Sequence, residues 1–332
     1  MNLFKTVEKA VSSFADFMWS APFLTLGTIE IPFLLFLLLG GGVFFSIYSR
    51  FVPFKYFSHG VKILMGKYND PNDPGEITHF QALTSALAST VGLGNISGVA
   101  IAIQMGGPGA LFWMWVSALL GMSTKFFSCT LSILYRGKDD QGKIQGGPMY
   151  YIENGLGKRF KPLSILFSLA GLVGCTVMFQ SNQLADIIRD QVFLPNNMFV
   201  ENALMGDFLQ GLIMATLTGI VIFGGIQRIG QVASYLVPIM VILYLLSGLL
   251  VIFKHITEIP SLFALIVNDA FTGDAVMGGA VGAVIIAGVR RALFSNEAGL
   301  GTSDMAHGAA QTKEPVREGL VAMIEPFIDT II

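Results

Sequence analysis

Charge is what this chain has least of. Only 13% of its 332 residues are Asp, Glu, Lys or Arg, whereas 53% are hydrophobic. A soluble globular protein carries about a quarter charged residues. With a mean hydropathy of +0.66, that scarcity excludes an ordinary soluble domain and points to a polytopic membrane protein. A net charge of −2 argues against nucleic acid as a partner, which would call for a basic patch. Cysteine is scarce as well. Cys129 and Cys175 both fall in apolar runs, so there is neither a disulfide framework nor metal-ligand spacing. His59, His79, His255 and His307 are scattered and form no ligand pair. No cofactor is expected. The G-x-x-x-x-G-K-[ST] pattern is absent, which argues against a pump with its own ATP motor. No Ser/His or carboxylate/His pairing sits at one depth, so an enzyme is not expected. The N-terminus lacks the compact apolar core and cleavage site of a signal peptide.

Long apolar runs are abundant. A spanning helix needs roughly 20 mostly apolar residues. Stretches at about 29–49, 80–104, 109–135, 162–189, 207–225, 230–253 and 274–295 qualify, and an eighth begins near 316. Ahead of them, Phe4, Val7, Val11 and Phe14 repeat at helical spacing. Residues 3–18 therefore read as an amphipathic helix lying in the membrane interface, the alternative being a frayed tail. Alternate loops carry Arg50, Lys55, Lys62 and Lys67, then six basic residues between Arg136 and Lys161, then Arg228, then Arg290, Arg291, Lys313 and Arg317. By the positive-inside rule these loops are cytoplasmic and the N-terminus is outside.

The stretch Ser89-Thr90-Val91-Gly92-Leu93-Gly94-Asn95 interrupts one of those spans. In lipid, a helix break is tolerated only where it faces protein or water. An unwound turn exposes carbonyls that can hold a cation, and the helix N-terminus after it presents N–H groups to an anion. One such stretch can bind a metal cation and both ends of an amino-acid zwitterion. A second weak segment follows five helices later, at Gly278, Gly279, Gly282 and Gly288, running in the opposite direction. That is the expectation for an inverted repeat. Gly98 has the alternative use of letting neighbouring helices approach.

Other polar residues lie at depth. Gln180 can face a cavity or simply mark a helix end. Lys125 can snorkel to the surface or find a buried partner. Asp329 and Thr330 sit inside the eighth span, where an Asp is a functional candidate by default. They can hold Na⁺, since hard cations take oxygen ligands, or Asp329 can carry a proton. Glu325, beside Pro326, has a structural or gating role. Arg290, Arg291 and Glu297 read as interfacial anchors, with a salt-bridge gate as the alternative.

Residues 106–121, G-G-P-G-A-L-F-W-M-W-V-S-A-L-L-G, closely resemble the signature of the alanine/glycine:cation symporters, also called sodium:alanine symporters. Phe80-Gln81-Ala82-Leu83, Gln145-Gly146-Gly147-Pro148-Met149-Tyr150 and Phe294-Ser295-Asn296-Glu297-Ala298-Gly299-Leu300-Gly301 resemble the same family. Ser128 stands where many members have Glu.

The resemblance implies an all-α, leucine-transporter-like inverted-repeat fold with discontinuous helices. Its parts would be a tail at 1–28, an extra helix at 29–49, a first five-helix repeat at 80–253 and the start of a second repeat at 262–332. That fold has about eleven spanning helices, so the chain is expected to be C-terminally truncated, with its second repeat incomplete. By the same resemblance, the amides of Leu93 and Gly94, in the Thr90–Gly92–Asn95 turn, would hold a substrate carboxylate. The carbonyl of Thr90 and the side chain of Asn95 would bind one Na⁺, and the carbonyls of Ala88 and Val91 would face a second. Gln180 and the segment Gly278, Gly279 and Ala280 would line the pocket, with Val177 and Met277 crowding it. The implied activity is Na⁺-coupled symport of alanine or glycine by alternating access in a bacterial cytoplasmic membrane. The partners are then a small neutral amino acid, Na⁺ and the lipid bilayer. Proton coupling, or a non-transporting fragment, are the alternatives.

Overall fold

Apolar residues at helical spacing dominate the chain, and helices result. The structure, a computed structural model, describes residues 2–26, 29–175, 178–199, 202–272 and 281–332. In chain order come α1 (Asn2–Ser20), the hairpin β1 (Pro22–Leu26) and β2 (Ile29–Pro32), α2 (Phe33–Tyr48), α3 (Val52–Lys55) and α4 (Phe57–Leu64). Then follow α5 (His79–Thr90), α6 (Leu93–Gly106) and α7 (Gly109–Leu134). The two-residue strands β3 (Gly137–Lys138) and β4 (Ile144–Gln145) pair before α8 (Pro148–Leu156). The remainder is α9 (Lys161–Gly174), α10 (Met178–Ile188), α11 (Ala203–Ile222), α12 (Gly225–Lys254), α13 (Ile259–Thr272), α14 (Val281–Asn296), α15 (Ser303–Gly308), α16 (Pro315–Ala322) and α17 (Glu325–Thr330).

Among the described residues, α7, α11 and α12 are long and apolar enough to cross a membrane singly, and α5 with α6 form a fourth candidate bent by 49°. The expected spans differ from this in three places. The first begins at Phe33 rather than at 29, because Ile29–Pro32 pairs with Pro22–Leu26. Pro32 is extended, with φ −62° and ψ 151°, and starts the helix after it. Residues 162–189 are two helices, α9 and α10, rather than one. The eighth segment is divided between α16 and α17, where Pro326 occupies the first turn of the second helix.

Helix α7 is the centre of the molecule, and the 106–121 run explains why. Gly107 has φ +77°, which favours glycine, and it faces the Asp269 carboxylate. Asp269 Oδ2 accepts the Gly109 N–H at 2.7 Å, and Trp113 Nε1 donates to the Ala270 carbonyl at 3.1 Å. A Cβ on Gly109 would strike the Ala270 backbone. The glycines thus seat the start of α7 on the end of α13. Further along, a Cβ on Gly121 would come within 2.9 Å of Ala298. Small residues of this kind let helices approach closely in membranes.

The core lies where α5, α7, α12 and α16 meet, around Leu83, Leu87, Met122, Phe126, Val237 and Met323. Facing outward, α11 and α12 leave Leu217, Ile220, Ile239, Leu243 and Leu250 exposed. So broad an apolar surface suits lipid rather than water. Helix α1 also leaves Val11, Phe14 and Phe17 bare, as an interfacial helix would.

Candidate functional site

The chain turns between α5 and α6. Val91 is extended, with φ −77° and ψ 104°, and so is Gly92, with φ −167° and ψ −156°. Neither conformation requires a glycine. A Cβ on Gly92 would meet nothing within 4 Å, so the glycine leaves open space beside the break. That space is part of a cavity of about 1180 Å³. Ala88, Thr90, Val91, Gly92, Asn95 and Gln180 all line it. So do Asp139, Lys143 and Gln145 from one basic loop, and Thr302, Met305 and Ala309 from another. The cavity therefore runs from the helix break to the side that carries the basic loops.

On the wall of the break, Asn95 Nδ2 donates to Asp329 Oδ1 at 2.5 Å and approaches the Asp329 carbonyl at 3.3 Å. Thr330 Oγ1 donates to Asp329 Oδ2 at 2.9 Å, and Asn296 Nδ2 reaches Thr330 Oγ1 at 3.4 Å. Asn95 Oδ1 is buried and has no hydrogen-bond partner among the described residues. A buried acceptor without a donor is costly, and beside a carboxylate it fits a small hard cation. Thr90 is buried, its hydroxyl turned back to the Leu87 carbonyl at 3.4 Å. Helix α6 presents its first-turn amides, those of Leu93 and Gly94 among them, at the break. The structure thus brings Asn95, Asp329 and Thr330 together. Gly278, Gly279, Ala280, Val177 and Met277 lie outside the described residues.

Several expectations change. Arg291 is not an interfacial anchor. It lines the cavity, and a Cβ on Gly98 would collide with its guanidinium. Gly98 therefore makes room for the Arg291 side chain of the neighbouring helix α14. Arg290 lies 4.9 Å over the Trp19 ring of α1, on the side that the charge rule gives to the N-terminus, so it does not belong with the basic loops of the opposite face. Lys125 does not snorkel. It is 1% exposed and pairs with Glu325 at 2.9 Å while donating to Ser303.

Carboxylate/His pairing does occur at one depth, contrary to the sequence expectation, and His79 is part of it. It bonds Glu318, whose other oxygen meets His307 at 2.5 Å, and His307 Nε2 lies 3.5 Å from Glu325. Beside this chain, Asp304 accepts from Ser128 at 2.8 Å and from Tyr151 at 3.2 Å. Sequence reasoning reached Lys125 and Glu325 singly. It missed the cluster, because His79 and Glu318 are 239 positions apart.

The comparisons with known proteins agree with the architecture. The model of the sodium:alanine symporter family matches residues 6–332. An uncharacterized transporter of Haemophilus influenzae is 40% identical over 98% of this chain and 68% of its own. The sodium/alanine symporter AgcS of Methanococcus maripaludis is 40% identical over 91% of this chain and 65% of its own. A probable sodium/glutamine symporter, GlnT, of Bacillus subtilis is 36% identical over 98% of this chain and 63% of its own. The chain spans about two thirds of the length of these relatives. The truncation expected from the sequence is not borne out by such proportions, which concern length alone. A signature that seats α7, apolar helices that face outward, and a family match across nearly the whole sequence agree: this chain is an integral membrane protein of the sodium:alanine symporter family.

Proposed function

We propose that the chain binds Na⁺ and a small neutral amino acid at the break between α5 and α6, for symport by alternating access in a bacterial cytoplasmic membrane. The observation that carries this is the pairing of Asn95 with Asp329, beside an orphaned amide oxygen, in the wall of the cavity. Asn95, Asp329, Thr330 and the carbonyls of Ala88, Thr90 and Val91 are the oxygen set for Na⁺. The amides of Leu93 and Gly94 receive the substrate carboxylate at the start of α6. Gln180 faces the substrate from across the cavity, and the segment with Gly278, Gly279 and Ala280 completes the pocket. The fold is the leucine-transporter-like inverted repeat, with α5–α6 as the first broken helix and the N-terminus outside. An inward Na⁺ gradient drives uptake, each charge contributing about 2.3 kcal/mol per 100 mV of potential.

The relatives' names divide between alanine and glutamine. The family description and the name of AgcS favour alanine, since the open space at Gly92 does not itself exclude a larger side chain. The test is uptake of labelled alanine into proteoliposomes under a Na⁺ gradient, a K⁺ gradient and a pH gradient alone, with glutamine as competitor. Saturable uptake that needs Na⁺ and resists glutamine is expected. Uptake driven by pH and indifferent to Na⁺ would overturn the ion assignment.

A further inference from the structure

The buried chain of ionisable groups beneath the Asn95–Asp329 pair has no part in the proposed binding of Na⁺ or amino acid. It runs from His79 on α5 through Glu318 on α16 to His307 on α15, then to Glu325 on α17 and Lys125 on α7. All five side chains are at most 1% exposed. Groups this deep must be neutralised and hydrogen-bonded.

The contacts settle where the hydrogens lie. An ionised carboxylate only accepts. Glu318 turns one oxygen to His79 Nδ1 and the other to His307 Nδ1, so each of these nitrogens carries a hydrogen. The rings then differ at their second nitrogen. His79 Nε2 has no hydrogen-bond partner among the described residues, which suits a bare lone pair and a neutral ring. His307 Nε2 makes no hydrogen bond among the described residues either, but unlike His79 Nε2 it faces a carboxylate, Glu325 Oε2, at 3.5 Å. A bare lone pair there would oppose a carboxylate oxygen, so this nitrogen carries a hydrogen too.

Charge balance reaches the same answer. The buried anions around the two rings are Glu318, Glu325 and Asp304. Asp304 acts on Lys125, and accepts from Ser128, Cys129 and Tyr151. The cations are Lys125 and Arg136, whose guanidinium acts on Glu318 while binding the Gly308 carbonyl at 2.8 Å. Three anions against two cations leave one negative charge, and one imidazolium cancels it. Glu297 and Asp329 lie further out, accepting from the neutral donors Thr302, Asn95 and Thr330, and are not among the groups nearest the two rings.

We propose that this cluster is a one-proton binding site, with His307 a buried imidazolium held between Glu318 and Glu325 and His79 neutral. The ligand is a proton, and the assignment does not depend on what the chain transports. Without the proton, two carboxylates would flank an uncharged ring in the segment that carries Asp329. The site therefore ties the seating of α16 and α17 to pH.

The chain has four histidines, so ¹⁵N-histidine NMR of the whole protein in micelles reads the site directly. His59→Gln and His255→Gln, both outside the cluster, assign the remaining two rings by subtraction. At about pH 8, above the ordinary imidazole range, His307 is expected to show two protonated nitrogens and His79 one. Glu318→Gln removes the excess anion, and His307 is then expected to lose its extra proton. A neutral His307 in the wild type, an imidazolium on His79 instead, or two imidazolium rings would each overturn the assignment. The wild-type spectrum decides even if Glu318→Gln does not fold.

Discussion

Asn95 joins the two halves of the candidate site. Its amide nitrogen is held by Asp329, and its oxygen is left over. If that oxygen binds Na⁺, Asn95→Ala removes a ligand and also leaves Asp329 short of a donor. The expected result is a loss of apparent Na⁺ affinity of about tenfold or more, equivalent to at least about 1.4 kcal/mol. The measurement is the Na⁺ dependence of alanine uptake at fixed alanine. An unchanged half-saturating Na⁺ concentration would remove Asn95 from the ligand set. At this scale the sequence was partly legible. An Asn after two glycines, and an Asp deep in a later span, each stood out because polar groups are costly in lipid. The role of Gly92 was not legible. Its backbone is extended, and the residue matters for the space it leaves.

At the scale of elements, the charge inside the bundle belongs to α7 and α17 together. Lys125 and Glu325 are both fully buried, so losing Lys125 leaves Glu325 with only His307 beside it, at 3.5 Å. Removing one partner of such a pair costs roughly 3–5 kcal/mol, whereas replacing both by apolar residues is often far milder. Lys125→Met should therefore lower the thermal midpoint in detergent sharply. Adding Glu325→Leu should recover much of the loss. A Lys125→Met protein as stable as wild type would mean that the two groups are not an ionised pair. Sequence reading identified the helices that hold these groups, since apolar periodicity is a local property. It did not identify the pairing, because which faces of α7 and α17 meet depends on packing between residues 200 positions apart. The division of 162–189 into α9 and α10 was also missed, although the polar run Gln180-Ser181-Asn182-Gln183 marks the second half.

A second pairing joins elements at the membrane surface. Lys313 meets Asp73 at 2.6 Å, linking the loop before α5 to the loop before α16. The hydrogen bond from Lys313 holds the Asp73 carboxyl below its ordinary range, and the same bond raises the Lys313 ammonium. A lowered carboxylate stabilises the fold above its unfolded value and ceases to do so as pH falls through the folded one. A raised ammonium stabilises below its unfolded value and ceases as pH rises. The pair thus works between about pH 4 and pH 10. Lys313→Met should lower the thermal midpoint slightly at neutral pH, by less in high salt. The difference should shrink steadily below about pH 4. A difference independent of pH would point to lost packing instead.

For the whole molecule, the question is which side the cavity serves. Its walls include Asp139, Lys143 and Gln145 of a basic loop, with Thr302, Met305 and Ala309 near the Gly308 carbonyl that Arg136 binds, so it opens on the face that the charge rule makes cytoplasmic. The chain itself contains a probe of this. Cys175, just after α9, is exposed and lines the cavity, while Cys129 is buried beside Asp304. A charged maleimide that cannot cross the membrane should therefore label one cysteine, and only from the side of the basic loops. In inverted vesicles, with that face outward, Cys175→Ser should abolish the labelling. In right-side-out vesicles the wild type should resist the reagent. Alternating access adds a second expectation, since a site that has rocked to the other face withdraws Cys175 from the first. Na⁺ with alanine should then change the labelling rate, and K⁺ with alanine should not. Labelling of equal rate from both sides would mean a continuous path, which is the property of a channel rather than a symporter. Labelling from the opposite side alone would reverse the orientation set by the loops, and with it the direction in which α5 and α6 present their break.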